Sequence, residues 1–211
     1  DLIDKGPEPA TVLCKVRELV DSGQARMVIG NHELNWLMDC HGTEGDTRAF
    51  LEATCQRSER DDLLDGFAGD HRELLDYWHW LGRQPMVIDE RDLRVVHACW
   101  HPPSIEALRA QRFHSAFPGA RAEYHQTYSR AHLAMDRVVA GCQHRPKPNP
   151  GEGEFTTHRE RVRWWKTRGT ATRAVDLPPA APEDGVFYSP HEPPVFFGHY
   201  ALNGGPAPLA P

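Results

Sequence analysis

Residues 1–33 constrain the fold of this chain more than any other stretch. Residues 1–7 and 28–33 share one pattern, in which short apolar residues lead into a tight turn that carries Asp, Asn or His. Residues 9–23 between them are predicted to form one helix, because apolar side chains recur with the 3.6-residue period and a glycine ends the segment. The stretch therefore predicts a strand end, a turn, a helix, a second strand and a second turn.

The two turns carry residues suited to metal chemistry, namely Asp1 and Asp4 in the first and Asn31 and His32 in the second. In a parallel sheet both turns would emerge at the carboxyl edge, where α/β folds place their ligand sites. Carboxylate, amide and imidazole donors bind Mn, Zn or Fe, and two such ions can clamp a phosphoryl group during in-line displacement. Either short motif alone is common by chance, but together and in this order they predict a metal-dependent phosphoryl-transfer site.

Four segments in order resemble the motifs of the calcineurin-like metallophosphoesterases. Residues 1–7 (DLIDKGP) are similar to the GDxxDRGP motif without its first glycine, and residues 30–33 to GNHE. Residues 95–98 (VVHA) resemble the strand-end VHG or VHA motif, and residues 194–200 the terminal GH motif. Within the family, the resemblance is to the bacterial relatives of the Ser/Thr protein phosphatases and to the symmetric dinucleoside-tetraphosphate hydrolases.

The resemblance implies an α/β fold, a metallophosphoesterase β-sandwich flanked by helices. We expect residues 1–211 to form a single domain of this kind with a helical insertion at about residues 34–84, truncated at both ends. The family's Asp-x-His motif, which completes the first metal site, and its closing carboxyl-terminal strands would both lie outside this chain.

The resemblance also implies the metal ligands and the cofactors. Asp1 would bridge two divalent metal ions, and Asn31, His97 and His199 would ligate the second ion. Manganese is the first expectation for both ions, with iron or zinc as alternatives.

Catalytic and substrate-binding roles follow from the same resemblance. A metal-bridging hydroxide would attack phosphorus, His32 would protonate the leaving oxygen as general acid, and Asp4 would fix the tautomer of His32. Lys5 stands where the family has Arg, so it would attract phosphate without the planar two-point contact. Arg163 would hold a phosphate oxygen, the alternative being a solvated strand face.

Further elements are predicted from periodicity and turn residues. Residues 85–100 predict a β-hairpin that ends at His97. Helices are expected at residues 49–55, 61–67, 71–81, 104–111 and 120–140, and strands at residues 161–165 and 195–197.

Four aromatic residues in the insertion could stack on a base or a peptide, but filling of the core is the favoured interpretation: Trp36, Tyr77, Trp78 and Trp80. Cys99 is expected to be a small buried residue, and His101 is a weaker candidate for contact with solvent or substrate.

Composition limits the class of protein. A net charge of −6 argues against a general nucleic-acid binder, and no apolar run approaches the ~18 residues of a membrane helix. Five cysteines without a CxxC pair favour free thiols in a reducing cytoplasm, while the resemblance implies a bacterial protein.

Three functions remain open at this point. The first is hydrolysis of phosphate monoesters, either on a phosphoprotein or on a small phosphomonoester. The alternative is a symmetric bis(5'-nucleosyl)-tetraphosphate hydrolase, because the metals act on any phosphate and the cleft selects the substrate. A further alternative is a non-catalytic fragment or binding module. The expected partner is thus a phosphorylated substrate, with no membrane and no general nucleic-acid binding.

Overall fold

Helices are the main regular structure in the described part of the chain. The computed structural model describes residues 1–110, 130–144, 160–161, 163–165, 188–189 and 191–200. The helices in these ranges are α1 (Pro9–Asp21), α2 (Asn31–Asp39), α3 (Thr47–Thr54), a 3₁₀ turn (Ser58–Arg60), α4 (Asp61–Gly66), α5 (His71–Gly82), α6 (Pro102–Ala110) and α7 (Arg130–Ala140). The strands are β1 (Val87–Asp89), β2 (Arg94–Val96), β3 (Gln143–His144), β4 (Glu160–Arg161) and β5 (Val195–Phe197). No described helix is both long and apolar enough to cross a membrane.

Helix α1 confirms the helix predicted over residues 9–23. Pro9 occupies its first turn, where the missing N–H costs nothing, and Gly23 follows its end with a φ of +73°, in the left-handed region that glycine favours. The helix buries Leu13 completely and lies so close to α4 that a Cβ on Gly66 would stand 2.4 Å from the Cβ of Ala10.

The strands predicted on either side of α1 are wrong. Residues 1–3 and 25–30 form no ladder with a neighbouring strand. Ile29 makes one backbone hydrogen bond, to the carbonyl of Pro85 at 2.9 Å, and this isolated bond does not extend into a sheet. Both segments are apolar because Ile3 and Ile29 are fully buried in the core, not because they are strands.

A three-stranded sheet in the order β1-β2-β5 forms the frame next to the helices. Strands β1 and β2 are antiparallel, with Val87 opposite Val96, and they confirm the predicted hairpin. Strand β5 is parallel to β2, with Val96 opposite Phe197, and confirms the strand predicted at residues 195–197. The described chain is therefore mixed α/β, while the sandwich stays a prediction.

The four aromatic residues of the insertion are core residues, as favoured from the sequence. Trp36, Tyr77, Trp78 and Trp80 are all buried. Trp36 donates its indole N–H to the Thr54 hydroxyl at 3.2 Å, so its polar atom is satisfied inside the core. Helices α3, α4 and α5 confirm the predicted helices at residues 49–55, 61–67 and 71–81.

The remaining helices and strands agree in part with the elements predicted from the sequence. Helix α6 begins two residues before the predicted residues 104–111, and α7 covers the end of the predicted residues 120–140, whose beginning lies outside the described residues. Strand β4 includes only the first residue of the strand predicted at residues 161–165, while Trp164 and Trp165 lie in a turn and are buried. Cys99 is fully buried, as expected.

His101 caps a helix and is buried from solvent, while the expected contact with substrate stays a prediction. Its side chain is buried, and its Nδ1 accepts a hydrogen bond from the backbone N–H of Ser104, 3.1 Å away, in the first turn of α6. Burial, together with the positive charge of Arg137, lowers the pKa of His101 to about 4. The imidazole is therefore neutral in the folded protein at neutral pH.

We predict that this cap makes the free energy of unfolding fall as the pH drops from about 6.5 to 4. In that window His101 binds a proton in the unfolded chain but not in the folded protein. Each such group changes the free energy of unfolding by at most about 1.4 kcal/mol per pH unit. His101→Asn keeps an acceptor without titrating, so urea unfolding across this window should show a shallower slope. The matched variant at an exposed histidine, His79→Asn, should leave the slope unchanged; equal slopes in all three proteins would contradict the assignment.

Candidate functional site

Four predicted metal ligands converge at one place. The Oδ1 of Asn31 lies 3.1 Å from the Nε2 of His97 and 3.0 Å from the Nδ1 of His199. The Oδ1 of Asp1 lies 3.1 Å from the same His97 nitrogen. The ligand atoms of Asp1, His97 and His199 all lie within 4.8 Å of one another. Residues separated by almost 200 positions thus form one cluster of oxygen and nitrogen donors.

The two histidines meet because they follow parallel strands. His97 comes directly after β2 and His199 two residues after β5, and parallel strands end at the same edge of a sheet. The Gly198 N–H donates to the His97 carbonyl at 2.9 Å, and the two imidazole rings lie 5.2 Å apart. His199 has a φ of +65°, a left-handed conformation that is uncommon for residues other than glycine and that clusters at functional sites.

The two loops that carry Asp1 and Asn31 are held together by Glu33. This carboxylate is fully buried, and its Oε1 accepts from the backbone N–H groups of Leu2 at 2.5 Å and Ile3 at 3.3 Å. Its Oε2 accepts from the N–H of Gly30 at 3.0 Å, which is one half of a capping box at the start of α2, since glycine has no side chain to supply the other half. One side chain therefore fixes both loops, although neither belongs to a strand.

Gly30 is required where the loops meet. A Cβ built on it would stand 2.6 Å from the Asp1 Oδ1, 2.6 Å from the Glu33 Oε2 and 2.9 Å from the His97 Cε1. These distances are below van der Waals contact, so any other residue would push the ligands apart.

The donor set fits a divalent cation. Burial lowers the pKa of His97 to about 4, so its imidazole is neutral at neutral pH and keeps a lone pair for a metal. The convergent Asp1 carboxylate, Asn31 amide oxygen and two imidazoles are the mixed oxygen and nitrogen set that suits Mn, Fe or Zn.

His32 and Asp4 form a pair beside the cluster. The His32 Nδ1 lies 3.1 Å from the Oδ2 of Asp4, whose side chain is only 4% exposed. Because a carboxylate is only an acceptor, this contact places a proton on Nδ1. The opposite nitrogen, Nε2, lies 3.9 Å from the Oδ2 of Asp1 and so faces the cluster. Asp4 also has a positive φ, +64°, a left-handed conformation that is uncommon for residues other than glycine.

The two predicted phosphate-binding residues are placed less directly. Lys5 is exposed next to Asp4 at the turn, and Arg163 is half-buried in the segment that precedes Trp164. Their roles toward a substrate stay predictions.

Two buried charges at the site did not emerge from the sequence analysis. Glu33 had a local signal, since a Glu three residues after a helix cap is the capping-box pattern. Arg60 had none. It lies in the 3₁₀ turn, fully buried, with its Nε 3.4 Å from the Oδ1 of Asp4.

A cavity of about 490 Å³ lies at the other end of β2. Its wall includes Arg94, whose guanidinium already donates to Asp89 at 2.9 Å and to Glu192 at 2.5 Å. None of the predicted metal ligands is among the residues that line the cavity, so we assign it no part in the site.

Of the two groups that the sequence resembles, comparison with known proteins supports the symmetric dinucleoside-tetraphosphate hydrolases. The chain is 36% identical over 128 residues to a protein of Nitrosospira multiformis and 34% identical over 98 residues to one of Ralstonia nicotianae. A third relative, from Shewanella sediminis, is 28% identical over 224 residues, which cover 99% of this chain. All three are named symmetrical bis(5'-nucleosyl)-tetraphosphatase. The chain is thus similar to hydrolases of this name, and these matches give no support to the protein-phosphatase branch.

The coverage of these relatives differs. The matches span 40% and 30% of the Nitrosospira and Ralstonia proteins and 74% of the Shewanella protein. No protein-family model matches the chain, and no solved structure is significantly similar to it.

We predict that Glu33→Gln weakens both the fold and the metal site. An amide offers one acceptor where the carboxylate offers two, so at least one buried N–H loses its partner, at a cost of about 1–3 kcal/mol in unfolding free energy. Affinity for Mn²⁺, measured by calorimetry, should fall as well. Glu18→Gln removes a carboxylate that pairs with Lys15 in an exposed position, and should change stability by less than about 0.5 kcal/mol. Equal effects of the two variants would contradict the role of Glu33.

We also predict that Gly30→Ala lowers Mn²⁺ affinity, because the new methyl group would displace Asp1 or His97. Gly45→Ala is the matched control, since a Cβ there meets nothing within 4 Å. Metal titration and thermal melting of both variants would check the prediction, and unchanged affinity in Gly30→Ala would show that the loop shifts without disturbing the ligands.

Proposed function

We propose that the protein containing this chain hydrolyses symmetric dinucleoside tetraphosphates with the help of two divalent metal ions, manganese being the first expectation. The observation that carries the proposal is the convergence of Asp1, Asn31, His97 and His199 beside the His32–Asp4 pair. The names of the relatives favour this substrate over the phosphomonoester that the sequence analysis put first.

The residues that would hold a metal are the four convergent donors, with Asp1 as the candidate bridge between two ions. Divalent cations at such a position lower the pKa of water and neutralise the charge that develops on phosphate. A second ion would need further ligands beyond this cluster, as the family resemblance implies.

His32 is the candidate proton donor. Its Nδ1–H is held by Asp4, so Nε2 is the ring nitrogen that faces the cluster, and His32 would donate a proton from Nε2 in its doubly protonated form. In symmetric cleavage the leaving group is a nucleoside diphosphate, and His32 would deliver its proton to the departing phosphate oxygen. Lys5, exposed at the same turn, is the candidate for attracting the polyphosphate.

The test uses the intact protein with any segment upstream of Asp1, loaded with Mn²⁺ and given bis(5'-adenosyl) tetraphosphate. Chromatography should show ADP as the nucleotide product, since symmetric cleavage yields two diphosphates, and a chelator should abolish turnover. His32→Ala should lower kcat by about 10²–10⁴-fold, the usual contribution of a general acid, while leaving metal content unchanged. Asn31→Ala should instead lower metal content.

A phosphoserine peptide and an aryl phosphate ester complete the experiment. Faster turnover of either than of the dinucleotide would replace the proposed substrate by the phosphomonoester. If the metal-loaded protein turns over none of them, the catalytic proposal fails and a binding module becomes the better description.

A further inference from the structure

Arg60 is the only arginine or lysine that is fully buried in the described part of the chain. It belongs to the helical insertion, in the 3₁₀ turn Ser58–Arg60, and its ion-pair partners Asp4 and Asp39 are not among the predicted metal ligands. A buried guanidinium is costly unless it is paired, so its partners indicate why it is there.

The two partners of Arg60 are both aspartates, one of them at the site. Its Nε lies 3.4 Å from the Oδ1 of Asp4, and its Nη2 donates to the Oδ2 of Asp39 at 2.9 Å. Asp4 uses its other oxygen, Oδ2, for His32. The Asp4 carboxylate therefore has a positive charge at ion-pair distance from one oxygen, without a hydrogen bond, and the imidazole within hydrogen-bond distance of the other.

These contacts close a ring through helix α2. His32 lies in the first turn of the helix and Asp39 is its last residue. Arg60 connects that last residue back to the turn that carries Asp4. The start of the helix, its end, the Asp4 turn and the insertion thus constrain one another.

We propose that Arg60 is a positioning residue, which orients the Asp4 carboxylate so that Asp4 in turn holds His32 with its Nε2 toward the metal cluster. The inference rests on the proposed function for its consequence in catalysis. Its geometric part, that Arg60 maintains the Asp4–His32 hydrogen bond, stands without that function.

The geometric part is tested by nuclear magnetic resonance of the metal-free protein. A hydrogen-bonded imidazole Nδ1–H gives a slowly exchanging, downfield proton signal, and His32→Gln would assign it to His32. Arg60→Met, which keeps the length of the side chain and removes its charge, should abolish or broaden the signal. Arg57→Met is the matched control, since Arg57 also donates to the Oδ2 of Asp39, at 2.8 Å, but is 43% exposed; the signal should persist there.

The catalytic part is tested on the dinucleoside tetraphosphate with bound Mn²⁺. Arg60→Met should lower kcat about tenfold, a share of the 10²–10⁴ that a general acid contributes, with KM and metal content changed less than twofold. In a His32→Ala background the same substitution should cause no further loss, because residues that act through one group are not additive. If Arg60 had only a structural role, Arg60→Met would lower kcat by the same factor in the wild-type protein and in the His32→Ala variant.

Folding is checked by circular dichroism, and Arg60→Lys supplies a second variant if Arg60→Met fails to fold. Lysine keeps the charge but cannot contact both aspartates as a planar fork, so the downfield signal should weaken and kcat should fall by an intermediate factor. A persistent His32 signal in both variants would overturn the proposal. If the wild-type protein turns over no substrate while the signal depends on Arg60, the proposed function fails and the positioning role remains.

Discussion

The buried carboxylate of Glu33 is the interaction on which the site depends. It gathers N–H groups from residues 2, 3 and 30, which belong to two loops without sheet hydrogen bonds of their own. Buried N–H groups need partners, and here one side chain serves both loops. Asp1 and Asn31 owe their proximity to this contact. The requirement for glycine at position 30 follows from it, because the loops close until no Cβ fits.

The other half of the site is built on a different principle. His97 and His199 are placed by the parallel pairing of β2 and β5, whose register fixes the two strand ends side by side. Backbone hydrogen bonds between strands position the two histidines, whereas the Glu33 side chain positions the loops that carry Asp1 and Asn31. The amide oxygen of Asn31, within 3.1 Å of a nitrogen of each histidine, is where the two halves meet.

Much of the fold and of the candidate site could be predicted from the sequence. Helices α1 and α5 follow from apolar periodicity, and the hairpin that ends at His97 follows from two apolar runs around a polar turn. The prediction of strands on both sides of α1 was wrong, because buried apolar residues such as Ile3 and Ile29 give the same sequence pattern in a strand and in an extended loop. Arg60 could not be found, since its partners lie 21 and 56 positions away, at Asp39 and Asp4, and no local pattern records such pairs.

Helix α2 carries His32 in its first turn and Asp39 at its other end, and at 1.5 Å per residue its nine residues are about 13.5 Å long. Because an α-helix is a rigid element, the residues of the insertion that contact Asp39 are coupled to His32, the candidate proton donor. Sequence change among homologous proteins in the region around Arg60 and Asp39 could therefore alter reaction rates while every ligand is retained. Divergence in rate need not leave a trace in the motifs by which such proteins are recognised.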